Sequence, residues 1–373
     1  MFPYIILFTL VLVPAFKKHT RINMTWYYTI TGILLIFTGL RDMIGGYDVY
    51  IYAAIYEATV SRIFEFNGFE YGFKLLYVSL KSLNDDRHFM FFSIASIFFV
   101  SQSYVLKKYS PLFYLSLFII FCKFFLMSFI YLRQELAMVV CWLAIPYVIK
   151  KQYVMYFGFM LIAFLMHKSA LLFLPFYFFS MIRFSKLQII LITTATLFLS
   201  LTPLVDQFII SLGDGGLEEA SDTVDRVVKY HSQSKGINPF YLVESFMLLG
   251  VLLFFKNKFY ENSKTIALAN GFFLYILVTV FSVKNGAFIR FNWYFLVFVA
   301  IMLSYVVFYI KDEKIKQLVN FIIILYFSLL FFRLLINWDF GDLMPYKTIF
   351  EEGSRGGMWD YMEYRKTSKD YGF

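Results

Sequence analysis

Apolar residues along this chain neither alternate with polar ones nor keep to one helical stripe. They run together in long blocks separated by short clusters of charge. Blocks that are apolar all round predict helices surrounded by lipid or by other helices, not half-buried strands. A bilayer crossing takes about 20 residues, and the blocks fall at roughly 2–16, 24–40, 89–106, 111–131, 135–149, 153–166, 169–182, 187–204, 240–255, 265–283, 288–310 and 317–335. The expected fold is therefore an all-α polytopic membrane protein of about 12 transmembrane helices, with residues 1–373 forming one integral membrane domain. Two long polar stretches, 41–88 and 205–239, and a tail, 336–373, interrupt or follow the blocks. Within the first stretch, residues 71–83 hold Lys74 and Lys81 and read as an interfacial or re-entrant helix. The first block has no basic residues before it and no small-residue cleavage site after it, so it reads as a retained span and not a signal peptide.

Composition agrees with the pattern. Hydrophobic residues make up 60% and charged residues 16%, with a mean hydropathy of +0.67, which excludes a water-soluble globular fold. The 49 Phe, 29 Tyr and 5 Trp lie in long runs and not in short alternating segments, which disfavours an outer-membrane barrel. A net charge of +9 raises the question of nucleic acid, but the basic residues are scattered between apolar blocks and act as topological signals. Cys122 and Cys141 lie inside apolar runs, so neither a disulfide framework nor a zinc site is expected.

The charge divides the connectors into two sets. Lys17, Lys18, Arg21, Lys107, Lys108, Lys150, Lys151, Arg183, Lys186, Lys256, Lys258, Lys264, Lys311, Lys314 and Lys316 face only Glu261, Asp312 and Glu313. That face is expected to be cytoplasmic. The long polar stretches and the tail carry more acids than bases and are expected outside the membrane.

A few polar residues at helix ends are left unexplained by topology: Arg41, Asp48, Arg133, Gln134, Glu135, His167, Lys168, Ser169, Arg290 and Tyr294. Each alone has an ordinary reading as a snorkelling, paired or interfacial side chain. Together they place arginines where positive charge is otherwise outweighed, and ionisable groups at a membrane edge are functional candidates. Guanidinium forks match phosphate oxygens bidentately, so Arg41, Arg133 and Arg290 are candidate ligands for a lipid pyrophosphate. A neutral His167 is a candidate base toward a sugar hydroxyl, with Asp48 as the rival. On a helix Arg290 and Tyr294 would share a face. No Walker loop, G-x-S-x-G, H-E-x-x-H or D-x-D motif is present, and no cofactor or metal is expected. Asp339 and Asp342 read as a solvated pair and not a cation site.

These residues sit in short motifs: Gly39-Leu40-Arg41 through Gly45 and Asp48; Arg133-Gln134 with Leu136-Ala137; Ala163 with His167-Lys168-Ser169-Ala170 and Pro175; Arg290-Phe291 with Tyr294-Phe295; and Pro345-Tyr346-Lys347. In their order and spacing the chain resembles the EpsG family of bacterial membrane proteins, which belongs with the Wzy-type O-antigen and exopolysaccharide polymerases. The resemblance implies a multi-pass protein of the bacterial inner membrane that joins undecaprenyl-pyrophosphate-linked oligosaccharide units on the outer face, without nucleotide sugar or metal. On that reading Arg41, Arg133 and Arg290 hold pyrophosphate and stabilise the leaving group. Gln134, Tyr294 and Tyr346 contact sugar, and the 205–239 loop covers the site. The expected partners are the lipid-linked saccharides, the bilayer and a chain-length regulator. The alternatives are a transporter or flippase of lipid-linked saccharides and a glycan ligase. A transporter commonly carries inverted repeats, and none is visible here.

Overall fold

The computed structural model describes residues 1–16, 22–202, 236–284, 286–337 and 342–360. The 205–239 loop lies almost wholly outside these residues, as does Asp339. The described chain is helical and contains no β-strand; one isolated bridge pairs Arg41 with Thr348.

Among the described residues six helices are long and apolar enough to cross a membrane: Arg87–Tyr109, Leu132–Ile149, Pro239–Phe259, Ser263–Phe281, Phe288–Tyr309 and Glu313–Asn337. Five further apolar helices, Phe2–Ala15, Phe113–Phe124, Tyr153–Met166, Lys168–Phe179 and Lys186–Leu201, are only 10–17 residues long. Of the expected spans, about twelve with several of them short, six of full crossing length stand among the described residues. At about 1.5 Å per residue, a 14-residue helix rises roughly 21 Å, short of a hydrocarbon core of about 30 Å. Helix 71–81 has 11 residues and rises only about 17 Å.

The chain divides into two compact units, one made of 1–146, 154–171 and 303–373, the other of 147–153 and 172–302. In the first unit, α1 (Phe2–Ala15), α2 (Met24–Gly39), α3 (Tyr47–Glu57), α4 (Val60–Glu65), α5 (Tyr71–Lys81), α6 (Arg87–Tyr109), α7 (Phe113–Phe124) and α8 (Leu132–Leu143) come in order. The short α9 (Ile145–Ile149) and then α10 (Tyr153–Met166) follow. Local chemistry starts these helices. Asn23 accepts from Trp26 N at 3.1 Å to cap α2, Thr59 caps α4, and Asp86 accepts from His88 N at 2.6 Å to cap α6. Between α2 and α3 the chain turns through Gly45 (φ 133°) and Gly46 (φ 76°), a backbone that L side chains rarely adopt. A Cβ on Gly45 would lie 2.3 Å from the Phe129 carbonyl oxygen, so this close approach needs glycine.

Aromatic packing joins the helices of this unit. Phe8 of α1 stacks on Phe331 with ring centres 5.2 Å apart, and Phe121 of α7 stacks on Phe331 at 5.1 Å. A second core joins Val49, Tyr52 and Tyr56 of α3 to Phe69, Phe73 and Tyr77 around α5, to Met90 and Phe91 of α6, and to Leu132 and Leu136 of α8. The tail 342–360 also packs on this unit. Tyr4 Oη donates to Leu343 O, Asp42 N to Lys347 O, and Gly45 N to Asp342 O, at 2.5, 2.9 and 2.9 Å.

In the second unit, Pro239–Phe259 and Ser263–Phe281 form a helical hairpin. Asn238 caps its first helix, and a reciprocal Asn262–Thr265 capping box opens the second. Asn270 Nδ2 donates to the carbonyls of Phe179, Ser180 and Ile182 at 2.8, 3.1 and 2.8 Å, binding the end of the preceding helix to this hairpin.

Candidate functional site

Glu70 organises the polar chemistry of the first unit. It sits at the N-cap of α5 in an extended conformation, yet its side chain makes no cap bond to its own helix and reaches elsewhere. Oε2 accepts from Arg133 Nη1 at 2.6 Å, and Oε1 accepts from His167 Nδ1 at 2.8 Å and from Lys168 N at 3.1 Å. One carboxylate therefore ties together the N-terminus of α8 and the segment leaving α10.

The close approach that makes this possible comes from Gly72. A Cβ there would stand 2.7 Å from Leu165 Cβ and 2.8 Å from its carbonyl oxygen, so α5 and α10 pack at a distance that only glycine permits. The Glu70 side chain is 8% exposed, those of Arg133 and His167 23% and 26%, so the acid is enclosed while its two partners reach the surface. Burial alone would raise the Glu70 carboxyl. The His167 hydrogen bond and the Arg133 charge outweigh burial and hold it at about 2.

Arg133 is fixed on several sides. Nη1 also donates to Gly68 O at 2.7 Å, Nε donates to Tyr52 Oη at 3.3 Å, and the guanidinium lies 5.1 Å from the centre of the Phe69 ring. Its Nη2 group has no hydrogen-bond partner among the described residues. An ionised carboxylate only accepts, so Nδ1 of His167 carries the proton and the other ring nitrogen, Nε2, is the basic one. Asp48 lies exposed in the first turn of α3, one helical turn before Tyr52, so α3 carries both the sequence-selected acid and the tyrosine that meets Arg133.

Other selected residues are placed differently. Arg41 is 1% exposed, and its guanidinium donates to the carbonyls of Ile44, Thr38 and Phe129 at 3.1, 2.5 and 3.1 Å. It also lies 4.9 and 5.0 Å from the centres of the Phe91 and Phe129 rings. Arg41 is expected to meet pyrophosphate, whereas in this structure its fork is buried and donates to backbone carbonyls. Gln134 is 5% exposed and Tyr294 fully buried, so neither presents a surface to sugar. Tyr346 is half-buried, stacks on Phe37 at 4.1 Å and donates to Phe37 O at 2.7 Å, which makes it an anchor of the tail.

Arg290 and Tyr294 belong to the second unit and lie in a 3-10 segment, Gly286–Phe295. With about three residues per turn, positions four apart do not share a face, so the expected alignment of these two side chains is not found. Asn292, between them, donates to Thr279 Oγ1 at 2.6 Å.

A second ionic network ties the tail to the turn after α2. Lys347 Nζ meets Asp42 Oδ2 at 2.7 Å, and His88 bridges Asp42 and Asp86 at 3.0 and 2.9 Å. Burial would raise the Asp42 carboxyl, but the His88 and Lys347 hydrogen bonds hold it below the usual carboxylate range.

Glu70 was not selected from the sequence. It is one of seven acids in the 41–88 stretch, and its partners lie 63 and 97 residues away. Its only local signal is its position immediately before an amphipathic helix.

No curated protein and no solved structure matches the chain. A family model described as the EpsG family matches residues 24–348. Spanning-length apolar helices, polar side chains gathered at helix ends and a match over most of the chain agree: the protein belongs to the EpsG family of membrane proteins of polysaccharide biosynthesis.

Proposed function

We propose that the protein is a polysaccharide polymerase, a glycosyltransferase that joins undecaprenyl-pyrophosphate-linked oligosaccharide units on the outer face of the inner membrane. The observation that carries this reading is the single carboxylate, Glu70, that holds a basic histidine and a phosphate-matching arginine side by side.

In the reaction, an acceptor sugar hydroxyl attacks the anomeric carbon of the donor. His167 Nε2 takes the hydroxyl proton, the new glycosidic bond forms, and the bond from the anomeric carbon to pyrophosphate breaks. The electron pair leaves on the pyrophosphate oxygen, where Arg133 Nη2 donates. A donor placed at a developing charge contributes about 3 to 4 kcal/mol to the barrier. Glu70 holds the imidazole in the tautomer that leaves Nε2 basic and stabilises the imidazolium once it is formed. The N-terminus of α8, which carries Arg133 and has no side-chain cap, adds its positive dipole end for an anion. Asp48, exposed on α3, serves as a sugar contact, while the buried Tyr52 helps hold Arg133 in place. Arg41 has a positioning role and holds the turn that starts α3.

The test uses purified full-length protein and the host's own lipid-linked repeat unit, with products resolved as a ladder on a gel. The wild type should give a ladder, and H167A and R133A should not. A full ladder from the H167A/R133A double variant overturns the assignment.

A further inference from the structure

A cavity of about 230 Å³ opens within the first unit at the end of the bundle that carries Lys311, Lys314 and Lys316. Its wall is apolar at Phe16, Leu112, Val307 and Phe321 and polar at Lys316, Gln317 and Asn320. Asn320 is 7% exposed. Its Nδ2 donates to Ala15 O at 3.4 Å, but Oδ1 has no hydrogen-bond partner among the described residues. A buried amide oxygen left without a donor is costly, so such a group calls for a ligand that donates. Lys316 stands one helical turn earlier on the same helix face. Its ammonium is 2.8 Å from Glu313, whose side chain is 60% exposed, an i,i+3 surface pair weak enough to exchange for a better anion.

We propose that this cavity binds the headgroup of an anionic glycerophospholipid bearing a free hydroxyl, of the phosphatidylglycerol type. Lys316 takes the phosphodiester, Asn320 Oδ1 accepts the headgroup hydroxyl, and the phenylalanine, leucine and valine wall borders the first methylenes of the acyl chains. A neutral hydroxyl suits a buried neutral amide better than an ammonium does, because burying an unpaired charge costs far more. The site is distinct from the Glu70 cluster and does not depend on the polymerase reading.

The full-length protein is reconstituted in phosphatidylcholine nanodiscs containing increasing phosphatidylglycerol, then released into detergent, and retained lipid is read by native mass spectrometry. The expected result is retention of phosphatidylglycerol over phosphatidylcholine by about ten-fold, equivalent to about 1.4 kcal/mol. N320L should abolish the preference and K316Q should lower it several-fold. Equal retention of both lipids by the wild type, or an unchanged preference in K316Q and N320L, overturns the proposal. Displacement of the lipid by millimolar glycerol 1-phosphate overturns the lipid assignment in favour of a soluble phosphoester. If N320L is not recovered as folded protein, K316Q decides, because Lys316 reaches the surface and its loss leaves the bundle core intact.

Discussion

Replacing Glu70 by Gln keeps the shape of the side chain and removes its charge. The amide is isosteric with the protonated acid, so the variant reports what ionisation of Glu70 contributes. The carboxyl is held at about 2 against an ordinary 4.5. At about 1.4 kcal/mol per pH unit, that difference is worth about 3 kcal/mol. With the side chain 8% exposed, solvent screening removes little of it. The sign follows from the depressed folded value: the contribution is complete above about 4.5 and is lost as pH falls toward 2. Wild-type stability should therefore decline with acidification across that window. E70Q should begin about 3 kcal/mol less stable at pH 7 and decline less there. The catalytic effect should be larger than the loss of one contact, because a Gln amide facing Nδ1 favours the wrong imidazole tautomer. A drop of about 10³ to 10⁴ in turnover is expected, with KM little changed. The measurements are a thermal unfolding series in detergent from pH 3 to 7 and initial rates of ladder formation. Wild-type turnover from folded E70Q would refute the orienting role, and parallel pH profiles for the two proteins would refute the electrostatic argument.

Three further outcomes follow from the same geometry. G72V should push α5 off α10 at Leu165, part Glu70 from His167 and abolish polymer while α6 and α8 stay folded; activity assay and circular dichroism together check this. R41A strips three carbonyls, those of Ile44, Thr38 and Phe129, of their buried donor, so at about 1–3 kcal/mol for each group left unpaired it should lower thermal stability. A stable R41A that loses only affinity for substrate would return Arg41 to the pyrophosphate. K347A should free the 342–360 segment from Asp42, raising its rate of limited proteolysis at pH 7; in the wild type, acidification that protonates Asp42 should do the same.

Polarity along the chain determined a good deal by itself. Long apolar blocks can only be helices where backbone groups must satisfy one another without water, and the described chain is helical throughout. Polar residues at block ends are a local signal, and Arg133 and His167, singled out that way, lie on one carboxylate. The Gly45–Gly46 turn was also visible as a sequence feature, since positive φ at consecutive residues is a local demand for glycine. Block length was less informative. Residues 111–131 read as an apolar run long enough to span, but the helix there, Phe113–Phe124, has 12 residues.

Tertiary structure decided the rest, because it depends on which distant backbones can approach. Arg41 and Arg133 look alike as membrane-edge arginines. One is enclosed by carbonyls of Thr38, Ile44 and Phe129, while the other reaches the surface, its Nη2 without a hydrogen-bond partner among the described residues. Burial of a guanidinium is a property of the packing around it, and no spacing in the chain encodes it. Arg290 and Tyr294 were paired on α-helical geometry, and a change from 3.6 to about three residues per turn separated them. Glu70 was one acid among seven until α5 and α10 closed on each other at Gly72. Hydrophobic pattern and turn chemistry act over a few residues and are legible in order along the chain. The meeting of Glu70, Arg133 and His167 joins groups 63 and 97 residues apart, and only the close packing of those helices brings it about.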